Sequence, residues 1–177
     1  MFDHHFITTP DAAIEPTVAA LRWRAGSSVV HCSGATEVDA LYHAREQGAA
    51  IGGLHPMQTF GADPEAAACS LAGCTVTIEA EDAALEWRLV VLAERLGCAV
   101  NRLPPGMRAR YHAAAGYASQ FVNALLADAA RVWATWGASE AHTVHALLPL
   151  ARGGIDAVTA ERLRLILGAA SETEQTT

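Results

Sequence analysis

The sequence predicts an α/β domain followed by an all-α domain, and three observations carry that expectation. Up to Val100, short β-branched runs alternate with stretches of helical periodicity. The cluster Leu103-Pro104-Pro105-Gly106 then interrupts the chain. Beyond it the pattern is helical throughout and rich in alanine.

Phe6-Ile7-Thr8 ends a first strand, and a helix follows Thr9-Pro10-Asp11 with Ile14, Val18 and Leu21 on one face and Asp11 as its cap. Ser28 to Cys32 is the second strand. Ser33-Gly34-Ala35 turns it into a helix carrying Val38, Leu41 and Tyr42, which Gly48 closes. Ala49 to Leu54 is the third strand, leading into His55-Pro56-Met57-Gln58-Thr59-Phe60. Asp63 caps a short helix with Pro64 at its first position. Cys74 to Glu79 alternates as a strand, and Glu81 to Leu96 is a strongly periodic helix. Cys98-Ala99-Val100 makes a last short strand. Arg108 to about Trp136 reads as one long helix ended by Gly137, and Ser139 starts the next, with Leu147 and Leu148 on its apolar side. Val158 to Leu167 is a further helix. The expected domains are therefore 1–103 and 104–170, with a polar tail over 171–177.

Of the 177 residues, 51% are hydrophobic and 18% charged, the composition of a chain with a real core. The net charge is −7 and every basic residue is a scattered Arg, which argues against nucleic acid as a partner. Cys32, Cys69, Cys74 and Cys98 show no CxxC spacing and read as reduced, buried thiols of a cytoplasmic protein. The first residues have no basic start before a long apolar run, and no stretch approaches the ~20 apolar residues of a membrane span.

Four stretches, in order, resemble one family: Ile7-Thr8-Thr9-Pro10-Asp11, Val30-His31-Cys32-Ser33-Gly34-Ala35, Leu54 to Phe60, and Tyr111-His112-Ala113-Ala114-Ala115 leading to Leu147-Leu148-Pro149-Leu150. Together, over about residues 5–152, they look like the Rossmann-like proteins with a C-terminal domain of the DUF2520 type. These are distant relatives of ketopantoate reductase, pyrroline-5-carboxylate reductase and 6-phosphogluconate dehydrogenase. The resemblance implies a partial Rossmann-like, mostly parallel sheet and a helical domain of the 6-phosphogluconate dehydrogenase-like type. It also implies NAD(P) as cofactor and hydride transfer to a small keto acid or imine. Two departures stand out. The Gly-x-Gly-x-x-Gly turn that such proteins use for the pyrophosphate is absent from the sequence, which begins almost at the Thr8-Thr9-Pro10 loop. After Gly153 the family's closing motif is also not matched.

The resemblance places His112 where the related reductases carry a catalytic Lys. Helical spacing then puts Gly116, Ser119 and Asn123 on the same face, with Gln120 where the family shows Asn. A His there can act as general acid, since its pKa lies near neutrality; it can equally cap or pack in a first turn. His55 follows a strand directly, and related dehydrogenases carry a similar His-Pro-Met loop beside the nicotinamide. Its alternative is a turn whose ring bonds backbone. Gln58 and Thr59 share that loop as candidate substrate ligands. Ser33 and Gly34, with Thr8, Thr9 and Pro10, are the candidate cofactor-binding residues, or plain strand-to-helix turns. His142 and His145 lie three apart, but no third ligand completes a set, so no metal is expected.

Two functions from different classes follow. One is an NAD(P)-dependent reductase with an incomplete nucleotide-binding domain, acting on a small-molecule substrate with His112 as proton donor. The other is a non-catalytic, truncated paralogue serving as a dimerisation or interaction module, in which an uncovered sheet edge wants a partner.

Overall fold

The computed structural model describes residues 3–158 and Leu165. Five strands form one sheet in sequential order: β1 (His4–Ile7), β2 (Ser28–His31), β3 (Ala50–Pro56), β4 (Thr75–Ala80) and β5 (Ala99–Arg102). The pairs β1–β2, β2–β3 and β4–β5 are parallel, whereas β3–β4 is antiparallel. The sheet is thus mostly parallel, with one reversal.

Both faces are covered, as parallel strands require. On one side α1 (Asp11–Ala20), α2 (Tyr42–Glu46) and the turn before it pack Ile14, Val18, Leu41 and Ala44 against Ile7, Val29 and Ile51. On the other, α4 (Ala83–Arg95) packs Leu85, Leu89 and Ala93 against Val30, Leu54, Val76 and Ile78. The stretch before α2 is a 3-10 turn, Val38–Leu41, so the helix expected there is shorter than its periodicity suggests. The short helix α3 (Pro64–Cys69) begins as expected, with the Asp63 side chain accepting from the Glu65 N–H and Pro64 in the first turn.

Three expectations are corrected. Asp11 does not cap α1: Pro10 is the N-cap, without a side-chain bond, and Asp11 is the first helical residue. The thiols are free, with Cys74 and Cys98 buried and their sulfurs 3.9 Å apart, but Cys69 is exposed and Cys32 only partly covered. The long helix is two. α5 (Arg108–Ala118) ends at Ser119, whose φ of −125° and ψ of −71° leave the helical region, and α6 (Gln120–Ala134) starts at the next residue. The Ser119 hydroxyl donates to the Ala115 carbonyl at 2.8 Å, the backward bond by which serine bends helices.

The chain divides into two compact units, Met1–Ser119 and Gln120–Thr177. The breaker cluster turns the chain, but α5 beyond it stays with the sheet because Arg108 and Tyr111 bury their side chains there. In the second unit, α6 packs along α7 (Glu140–Asp156), which starts at Ser139 as expected. The expected helix 158–167 and the tail 171–177 lie outside the described residues, save Val158 and Leu165.

Candidate functional site

The site is built on one row across the sheet. Register pairs Ile7 with His31, His31 with Gly53, and Gly53 with Glu79, so these side chains project from one face. Gly53 leaves a gap in that row, and the Arg108 guanidinium fills it. A Cβ on Gly53 would overlap Arg108 Nη2 and stand 3.3 Å from His31 Cε1. The pair Gly52-Gly53 therefore serves close packing inside a strand; on the opposite face, a Cβ on Gly52 would lie 2.9 Å from the Glu79 carbonyl.

Arg108 is fully buried. Its Nε donates to Glu79 Oε2 at 2.7 Å, and its Nη1 donates to the Ser33 carbonyl at 2.7 Å. Burial pushes the Glu79 carboxyl up, and Arg108 opposes that shift. His31 is also fully buried. Its Nδ1 accepts the Ser33 N–H at 3.2 Å, which puts its own proton on Nε2. Burial, and then the Arg108 charge, bring its pKa down to about 4, so the ring is neutral at physiological pH.

Two residues along β3 from Gly53, on the same face, stands His55. Its Nδ1 lies 2.6 Å from the Tyr111 hydroxyl, and the two rings meet edge to face. One turn of α5, Arg108 to Tyr111, thus matches one pleat period of β3, Gly53 to His55. Burial raises the Tyr111 pKa, so the phenol keeps its proton and shares a hydrogen bond with Nδ1. Burial lowers the His55 pKa, helped by Arg108 and then His112 and opposed by Asp11. The ring is neutral at physiological pH. It packs on Gly34, where a Cβ would stand 2.9 Å from Cε1 and Nε2.

The other expected residues are placed as follows. Ser33 and Gly34 are buried, and the Ser33 hydroxyl accepts from the N–H groups of Ala35 and Thr36, closing its own turn. Thr8 and Pro10 are exposed beyond β1, whereas Thr9 is half-buried with Oγ1 covered and unpartnered. His112 is exposed beside Tyr111. Gln58 donates to the Ser70 carbonyl at 3.0 Å and accepts the Thr59 N–H at 2.8 Å; both residues are exposed in the loop after β3. The face expected to run from His112 through Ser119 to Asn123 is interrupted, because the helical register stops at Ser119. Ser119 is half-buried, and Gln120 and Asn123 are exposed on α6, in the second unit. The structure thus brings together His31, Ser33, Gly34, His55, Arg108 and Tyr111. Sequence reasoning missed Arg108, Glu79 and Tyr111 as members, and the signal that could have found them was a glycine pair inside a strand pattern. A cleft of about 570 Å³ lies at the opposite, amino edge of β2 and β3, but its Arg45 and Glu81 already pair with each other at 2.9 Å.

A family model described as a domain of unknown function, DUF2520, matches residues 74–168, more than half of the chain. The chain belongs to this family. The match takes in β4, Arg108, Tyr111 and His112, so both charged members of the row, Glu79 and Arg108, fall inside the DUF2520 segment. No curated protein matches the chain. Among solved structures, protein TM1727 of Thermotoga maritima is similar at 23% identity and a TM-score of 0.70, over 86% of this chain and 57% of its own. A reductive aminase from Aspergillus terreus, solved with NADPH and ethyl-5-oxohexanoate, is similar at 16% identity and a TM-score of 0.66, over 93% and 57%. Pyrroline carboxylate reductase of Plasmodium falciparum, with NADP bound, is similar at 10% identity and a TM-score of 0.61, over 98% and 70%. The chain spans a little over half the length of the first two. At these identities the likeness is one of fold: this DUF2520 chain has a Rossmann-like α/β sheet with a helical C-terminal part.

Proposed function

We propose that this chain is an NAD(P)-dependent oxidoreductase that reduces a small keto acid or imine in the cytoplasm. The observation that carries the reading is the His55–Tyr111 pair at the carboxyl edge of the sheet, beside the exposed His112. In parallel sheets, ligands gather beyond the carboxyl ends of the strands. The sequence holds no Gly-x-Gly-x-x-Gly turn for the pyrophosphate end of the cofactor.

Bound reduced nicotinamide would supply the hydride. In this reading His55, held neutral by burial, accepts from Tyr111 at Nδ1 and so has Nε2–H as a hydrogen-bond donor for the substrate oxygen or nitrogen. His112, open to solvent, gives that atom the proton that completes an alcohol or amine. Titrating the purified chain with NADPH and NADH, read by energy transfer from tryptophan, tests the proposal. Saturable micromolar binding is expected, with His112→Ala lowering kcat/KM on a keto acid about 10²-fold or more. No binding up to millimolar cofactor sinks it.

A second reading, an interaction module that pairs with its own copy, is favoured by the helical unit. Phe121, Leu125 and Val132 lie along one stripe of α6 and are all exposed, as are Trp136 just beyond it and Val144, Leu148 and Ile155 on α7. The two readings are compatible. Sedimentation of Leu125→Asp against the unmodified chain separates a dimer built on this stripe from a monomer.

A further inference from the structure

We propose that Arg108 is the positioning residue of this site. Seated in the gap over Gly53, its guanidinium ties the Ser33–Gly34 turn and the first turn of α5 to β4, and so fixes where His55 meets Tyr111. Its catalytic meaning rests on the reductase reading above; its geometry does not.

The contacts close on themselves. Arg108 Nη1 holds the Ser33 carbonyl, and Gly34, the next residue, lies against the His55 ring. His55 bonds Tyr111 at 2.6 Å, and Tyr111 sits one helical turn from Arg108 on α5. Every link in that loop passes through a group at the site. An arginine present only to neutralise Glu79 would need one bond, and Nε already makes it. The second arm reaches from β4 to the turn after β2. Lysine cannot replace it, because one ammonium on a flexible stem lacks the planar fork that spans two fixed acceptors. The third nitrogen, Nη2, is buried without a partner over Gly53, so the seat has been shaped around the whole guanidinium. The charged and titratable groups around His55 are Arg108, Tyr111 and His112 from α5, His31 from β2 and Asp11 from α1. Of these, Arg108 is the fully buried cation.

The test is NMR on the full chain. Unmodified protein should show proximity signals from the His55 ring to Gly34 and to the Tyr111 ring, with an Arg108 Nε–H protected from solvent exchange. In Arg108→Lys the core signals of Val29, Val76 and Leu85 should persist while both His55 contacts are lost. The His55 titration midpoint should then move upward, because the displaced ring is hydrated again. A folded Arg108→Lys that keeps both contacts and the original midpoint overturns the proposal. If that variant does not fold, Gly53→Ala and the unmodified chain still decide. A Cβ at Gly53 should unseat the guanidinium and raise the same midpoint, and an Arg108 Nε–H that exchanges freely in unmodified protein overturns the idea outright. None of these readouts needs cofactor or turnover. Failure to bind NADPH would therefore remove the reductase reading and leave this one standing.

Discussion

The carboxyl edge of the sheet and the helical hairpin are made on opposite plans. At the edge, two charged residues and a histidine are buried and fill a row around a missing side chain. In the hairpin no residue of α6 is buried, and Phe121, Leu125 and Val132 are exposed. One region has its polar groups spent internally; the other has its apolar groups unspent. The difference teaches where constraint lies: the edge is fixed by specific bonds, and the hairpin is free to be judged by what covers it.

The largest expected effect would break the edge. Arg108→Ala leaves the Glu79 carboxylate buried without its cation, which should cost about 4 kcal/mol of unfolding free energy in urea titration. A loss below about 1 kcal/mol would mean the row is no better organised than the hairpin.

Acid comes next. The folded pKa of His31 is about 4 against 6.5 for the free side chain, so between those values the unfolded chain binds the extra proton. Stability should be complete above about pH 6.5 and fall as pH drops toward 4, by on the order of 3 kcal/mol. His55 is displaced in the same direction and deepens the loss. Denaturant midpoints measured across that range check it, and His31→Gln should flatten the curve.

A smaller step sharpens the contrast within the first unit. Asp82 caps α4 by accepting the Leu85 N–H at 2.7 Å, and Asp82→Ala should cost about 1 kcal/mol without shifting the acid transition. Smallest of all is Leu125→Ser on α6, a residue 69% exposed, which should change the stability of a dilute monomer by less than about 0.5 kcal/mol. A larger loss there would show that the stripe is already covered.

Much of the frame could be read from residues alone. Ser28 to His31, the 75–80 strand and α4 lie within two residues of their expected places, because β-branched alternation and the leucine period of 85, 89 and 92 are local signals. The direction of β4 was not legible, since alternation reports a strand without reporting which way its neighbour runs. Nor was the break at Ser119, which depends on one hydroxyl turning back to Ala115 in a sequence otherwise rich in helix formers. Of the site, Ser33 and Gly34 were legible from their place after a strand, whereas His55, expected just beyond a strand, lies within β3, which runs on to Pro56. Arg108 was not legible, because its partners Glu79 and Ser33 lie 29 and 75 residues away and nothing local to Arg108 marks them.

The empty place at Gly53 also has a bearing on how sequences of this kind can change. A side chain at 53 and an arginine at 108 claim the same volume, so neither position is free to vary by itself. Substitution at 53 should be tolerated only in chains whose residue 108 is small or uncharged, and those chains should also have exchanged Glu79 for a neutral residue. Three positions far apart in the chain would then drift as a single character. An alignment of relatives should show them inherited together, even where their immediate neighbours are not.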